Sequence, residues 1–164
     1  MSRNRLLTLG IAALVLILAP ASLAAGSGAK ATMADDAALT WHPCPEFMPA
    51  GCGIAVLQGD PSKPNADIFF KVPANAEIPS HWHTSAERMV LVSGKMTVRY
   101  DGAEPVVLRP GMYAYGPAKA AHSASCGGEG PCVLFIAFES PVDAVAVETK
   151  AADEKAIEAK AKAD

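Results

Sequence analysis

From Ile54 onward, apolar residues come in short runs broken by turn residues. IAVLQ (54–58) ends at Gly59-Asp60-Pro61, and DIFFKV (67–72) follows Pro64-Asn65. HWHTSAERMVLV (81–92) runs to Ser93-Gly94, and KMTVRY (95–100) to Asp101-Gly102. VVL (106–108) precedes Pro110-Gly111, MYAY (112–115) precedes Gly116-Pro117, and CVLFIAF (132–138) closes the series. Runs this short, rich in Val, Ile, Phe and Tyr and recurring about every ten residues, predict strands of an all-β barrel or sandwich. No window in the region repeats its apolar residues at a helical period.

The flanks read differently. Residues 1–25 have a positive start at Arg3 and Arg5, an apolar stretch from Leu6 to Ala19, and small residues at Ser22-Leu23-Ala24. That order predicts a cleaved export signal, since the apolar stretch falls short of the roughly 20 residues a spanning helix needs. Residues 26–40 follow as a flexible lead-in of small and polar residues, and 41–148 as the barrel domain. The end, 149–164, is rich in Ala, Glu and Lys, with Ile157 almost its only large apolar residue. It reads as a solvated helix or frayed tail.

Export changes how charge and cysteine are read. Removing the two arginines of the signal from 14 basic residues, against 17 acidic ones, takes the net charge from −3 to −5. That balance, without a basic cluster, speaks against nucleic acid or an anionic membrane surface as partner. The mature chain of about 140 residues suits one hydrophobic core. Its four cysteines are an even number in an oxidising compartment, the periplasm or beyond, and neighbours pair as Cys44–Cys52 and Cys126–Cys132. Three connectivities are open to four cysteines, and no C-x2-C zinc spacing occurs.

Three of the four histidines carry the candidate chemistry. His42 lies in the Pro- and Cys-rich loop 41–53 and reads as a surface residue. His81, His83 and Glu87 share parity, so one extended strand through them would aim all three inward, with Met89 and Leu91 continuing that face. Two imidazoles and a carboxylate in an apolar interior are costly unless paired, and a divalent transition metal pairs with all three. The competing reading pairs Glu87 with Arg88 or Arg99 and leaves the histidines at a wet strand end. Ala120, His122, Ala124 and Cys126 share the face of a later strand, leaving room beside His122. Ser85 lies between the first ligands in parity and reads as a satisfied buried hydroxyl beside them. Trp82 faces away and reads as packing. Cys126 reads as half of a disulfide across the loop C-G-G-E-G-P-C, in preference to a pocket thiol.

The run N-A-E-I-P-S-H-W-H-T-S-A-E-R-M-V-L-V-S-G resembles the first motif of the cupin superfamily, G-x5-H-x-H-x3,4-E-x6-G. Asn75 stands for its first Gly, a mild departure because Asn tolerates a left-handed turn. G-M-Y-A-Y-G-P-A-K-A-A-H-S-A-S-C resembles the second motif, G-x5-P-x-G-x2-H-x3-N. Gly111, Pro117 and His122 match it, while Lys119 replaces Gly and Cys126 replaces Asn. The lead-in, with Trp41, Pro43, Pro45, Gly51, Ala55, Leu57, Gly59, Asp60 and Pro61, is similar to that of small single-domain bacterial cupins of unassigned function. The resemblance spans roughly residues 54–140.

It implies a jelly-roll β-barrel in which His81, His83, Glu87 and His122 bind one divalent ion: Fe, Mn, Ni, Cu or Zn. Two positions would stay open for a small-molecule ligand or substrate. It implies a metal-dependent enzyme acting on a small oxygen-bearing molecule, of oxygenase, isomerase or lyase type, or alternatively a non-catalytic metal- or ligand-binding module. It also permits a homodimer through strand addition. No catalytic acid or base stands out; Tyr100, Tyr113, Tyr115 and Lys119 are available but equally suited to packing or surface.

Overall fold

A computed structural model describes residue 28 and residues 30–148. The export-signal segment 1–25, the start of the lead-in and the tail 149–164 lie outside the described residues. Eleven strands appear in order: β1 (His42–Pro43), β2 (Gly53–Gln58), β3 (Ala66–Val72), β4 (Glu77–Trp82), β5 (Glu87–Ser93) and β6 (Met96–Tyr100). After these come β7 (Val106–Leu108), β8 (Tyr113–Gly116), β9 (His122–Cys126), β10 (Cys132–Phe138) and β11 (Val145–Ala146). No helix occurs among the described residues.

The strands form two antiparallel sheets, β1-β2-β3-β10-β5-β8 and β11-β4-β9-β6-β7. Alternation along each strand decides what faces inward. In β5, Met89 and Leu91 are buried while Arg88 and Val90 are only half-buried. Ile68, Met96, Leu108, Leu134, Ile136 and Phe138 join them in one core between the sheets. Burying a side chain of this size contributes about 1.5–3 kcal/mol. A second cluster, Ala55, Phe69 and Val133, lies on the other face of the larger sheet, with Trp41, Ala34 and Leu39 packed against it.

One strand expectation needs correction. The run 81–92 is not a single strand: β4 ends at Trp82 in the smaller sheet, and β5 begins at Glu87 in the larger. Residues 83–86 carry the chain from one sheet to the other. Polar contacts pin that turn. Asp143 Oδ1 accepts from the Thr84 backbone N–H at 2.8 Å. Ser85 Oγ, buried, accepts from the Glu139 and Ser140 backbone N–H groups at 2.9 and 3.0 Å. Shared parity concealed the break, because His81, His83, Glu87, Met89 and Leu91 are all buried although they belong to two strands and the turn between them.

Two motif positions have clear backbone reasons. Gly94 has φ +79°, and a Cβ there would stand 2.9 Å from the Cys132 Cα and Sγ and from the Pro131 carbonyl. Only glycine fits. Asn75 adopts φ 62°, the left-handed turn expected of it, and Lys119 does the same at φ 61° without the ease of Gly or Asn.

Candidate metal centre

The site is assembled from both sheets and the turn between them. In the smaller sheet β9 pairs with β4 on one side and β6 on the other, and the register sets His122 opposite both His81 and Tyr100. The β4–β9 register shifts between Ile78 and His81. This irregularity, at Pro79-Ser80, reverses the parity, so that Ile78 and His81 are both buried although three residues apart. Proline suits such a place because it has no N–H to give the ladder. His83 follows β4 in the turn, and Glu87 opens β5 in the facing sheet.

All four side chains are buried and converge. The candidate ligand nitrogens of His81, His83 and His122 lie within 4.8 Å of one another. Glu87 Oε1 is 3.3 Å from His83 Nε2, and Oε2 is 3.7 Å from His122 Nε2. Each imidazole is held from behind by a backbone carbonyl. His81 Nδ1 bonds the Pro79 carbonyl at 2.8 Å, His122 Nδ1 the Ala120 carbonyl at 3.0 Å, and His83 Nδ1 the Asp143 carbonyl. A ring donating through Nδ1 keeps its proton there and leaves the Nε2 lone pair for the interior.

Electrostatics favour uncharged rings. Burial, with His122 close by, pushes His81 down to about 4 against the bond to Pro79. Burial also lowers His83 and His122, opposed in each case by the backbone carbonyl bond. Glu87 is pushed up to about 8 by burial. Near neutral pH the metal-free cluster is three neutral imidazoles facing a carboxylic acid, so the two contacts of Glu87 are hydrogen-bond approaches between neutral groups and not full ion pairs. Arg88 is no counter-ion to Glu87; it pairs with Glu139.

These residues fit a divalent transition ion. Neutral imidazole nitrogens and a carboxylate oxygen are its usual donors, and carbonyl-oriented imidazoles are characteristic support. The donor set does not select one element among Fe, Mn, Ni, Cu and Zn. Beside the histidines opens a cavity of about 140 Å3 with a largely aliphatic wall that includes Ile68, Met89, Met96, Leu134, Ile136 and Phe138. Chain segments 44–48 and 142–144 contribute further wall residues.

The ChrR cupin-like domain model matches residues 29–141. The chain belongs to the ChrR cupin-like family. Its all-β fold is that of the cupins, and solved structures agree at the level of fold. The polyketide cyclase RemF from Streptomyces resistomycificus matches with TM-score 0.60 and 18% identity, over 74% of this chain and 87% of that one. An RmlC-like cupin from Shewanella frigidimarina matches with TM-score 0.52 and 21% identity, over 64% and 86%. The DMSP lyase DddQ from Ruegeria pomeroyi matches with TM-score 0.57 and 19% identity. That match takes in 66% of this chain and 61% of the lyase, so the cupin spans about three fifths of its length. No curated protein matches the chain.

In this cupin the remaining sequence candidates fall as follows. His42 is exposed. Cys44 with Cys52, and Cys126 with Cys132, stand at disulfide distance, with Cα separations of 5.6 and 5.8 Å. The described residues contain no free cysteine. Such pairs hint at an oxidising compartment. Among the described residues no helix is long and apolar enough to cross a membrane. Tyr113 and Tyr115 are exposed. Tyr100 is not a surface residue: its ring lies 4.8 Å from that of His122. Burial, and then the charge of Glu87, raise its phenol pKa. Its Oη is buried without a hydrogen-bond partner among the described residues. Asp143 was missed altogether. Its carbonyl holds His83 and its carboxylate holds Thr84. A backbone acceptor sixty positions from its donor leaves no signal in residue type or spacing.

Proposed function

We propose that this is an exported metal-binding cupin in which His81, His83, Glu87 and His122 hold one divalent transition ion. The protein acts on a small oxygen-bearing molecule that enters beside them. The observation that carries the reading is the set of three buried imidazoles, each tied through Nδ1 to a backbone carbonyl, with candidate ligand nitrogens within 4.8 Å of one another. A bound ion would supply Lewis acidity or redox chemistry to an oxygen-bearing ligand. The chain's own part is to hold the donors neutral, exclude water with an aliphatic wall, and give up the Glu87 proton when the ion binds. Tyr100 and Glu87 are the titratable groups at hand for moving a proton beside His122. Export to the periplasm or beyond is supported by the order of residues 1–25 and by two cysteine pairs at disulfide distance.

A second reading is a non-catalytic module that holds metal or a small ligand. One observation favours it: apart from His81, His83, His122, Glu87 and Asp143, the described cavity wall offers no acid or base. The test is elemental analysis of the mature chain, purified without tag or chelator, beside a His81→Ala/His83→Ala variant. About one equivalent of metal in the wild type alone supports the site; equal traces in both refute it. Turnover with one metal only, lost in His122→Ala, marks the enzyme, whereas retained ligand affinity without turnover marks the module.

A further inference from the structure

The wall of the cavity, not its metal end, discriminates among ligands. Of its 21 residues the titratable ones are Glu87 and Asp143, both acidic, together with the three site histidines. Among the described residues no Lys or Arg reaches this wall. Apart from the ion itself, a dianion would find no cationic partner on this wall, so any charge it carried beyond the ion's reach would be buried unpaired, which is costly. Asp143 is also committed already, its carboxylate and carbonyl both accepting hydrogen bonds from the 83–84 segment.

The remaining wall is made of Ile, Leu, Met, Phe, Val, Ala and Pro side chains with one half-cystine. Its volume, about 140 Å3, fixes the size of guest. An aliphatic cavity of roughly 150 Å3 holds a benzene-sized molecule. Resting on the metal-site reading above, we propose that the ligand of this protein has a compact apolar body of about one six-membered ring and a single oxygen-bearing head. The body fills the space between Ile68, Met96, Ile136 and Phe138, and the head points to the histidines. Small dicarboxylates such as oxalate are excluded as the preferred guests.

Two probes with the same head and different bodies test this. Acetohydroxamate and benzohydroxamate are titrated calorimetrically into the metal-containing protein, beside oxalate. The ring makes benzohydroxamate bind at least tenfold tighter than acetohydroxamate, and oxalate binds no tighter than acetohydroxamate. Equal affinities of the two hydroxamates, or a preference for oxalate, overturn the proposal. Ala124→Leu, which narrows the cavity without altering a metal-binding side chain, lowers the ring's advantage while metal content stays the same. If the advantage survives that variant, the ring binds elsewhere and the proposal fails.

Toluene, which has a ring and no head, separates this inference from the reading it rests on. It is titrated into the protein as purified, whatever its metal content. Binding of toluene by a protein that holds no metal keeps the apolar cavity and refutes the metal site. A metal-loaded protein that binds neither toluene nor benzohydroxamate keeps the metal site and refutes the apolar ligand.

Discussion

Glu87 gives the metal-free protein a pH dependence opposite to that of an ordinary paired carboxylate. Burial holds it protonated up to about pH 8, whereas a free glutamate carboxyl titrates at 4.5. Between those values the folded state keeps a proton that the unfolded state has lost, so raising the pH favours unfolding. One such site costs about 1.4 kcal/mol per pH unit. His81 works the other way. Its folded value is about 4 against 6.5, so stability rises with pH through that window, and His83 and His122 shift in the same direction. Above pH 6.5 only the Glu87 contribution continues. Stability of the stripped protein therefore peaks near pH 6.5 and falls by about 2 kcal/mol on reaching pH 8. The assay is urea unfolding of chelator-stripped protein with its disulfides intact, followed by Trp41 and Trp82 fluorescence across that range. Glu87→Gln removes the fall above pH 6.5. A wild type that is flat or gains stability there, or a Glu87→Gln variant with the same fall, refutes the assignment of a neutral Glu87. Metal-loaded protein loses this fall, because binding requires the ionised carboxylate.

Two further substitutions probe the surroundings. A Cβ at Gly116 would stand 2.2 Å from Tyr100 Oη and 3.0 Å from Glu87 Oε2. Gly116→Ala thus costs about 1–3 kcal/mol in thermal or urea unfolding and weakens metal binding, and adding Tyr100→Phe restores part of the loss. Lys119 holds a left-handed φ of 61° while its N–H donates to the His83 carbonyl at 2.7 Å. Lys119→Gly keeps that bond and relieves the backbone, adding up to about 1 kcal/mol of stability, read as a higher urea midpoint.

Much of the strand layout could be read locally. Leu91 and Met89 announce their inward face by alternation, and Gly94 and Asn75 announce turns by residue type. The histidines and Glu87 were visible as a spacing, although the reason they converge was misread. A single strand through 81–92 would have aligned them by parity. In the structure a bulge at Pro79-Ser80, a turn at 83–86 and a change of sheet do so instead. Tyr100 looked no different from Tyr113 and Tyr115, because burial beside His122 depends on the pairing of β6 with β9.

The sequence by itself determined the all-β architecture and the spacing of the candidate ligands, and it suggested the neighbouring cysteine pairs that the structure sets at disulfide distance. Alternation, turn chemistry and short loops are properties of adjacent residues. Only the tertiary structure decided which carbonyls fix the imidazoles, that Asp143 braces His83 from across the chain, and that the described cavity wall is mostly aliphatic and carries no cationic side chain. Those properties belong to strands distant in sequence and brought together by packing. No residue type records its partner when that partner is a backbone carbonyl or an empty space.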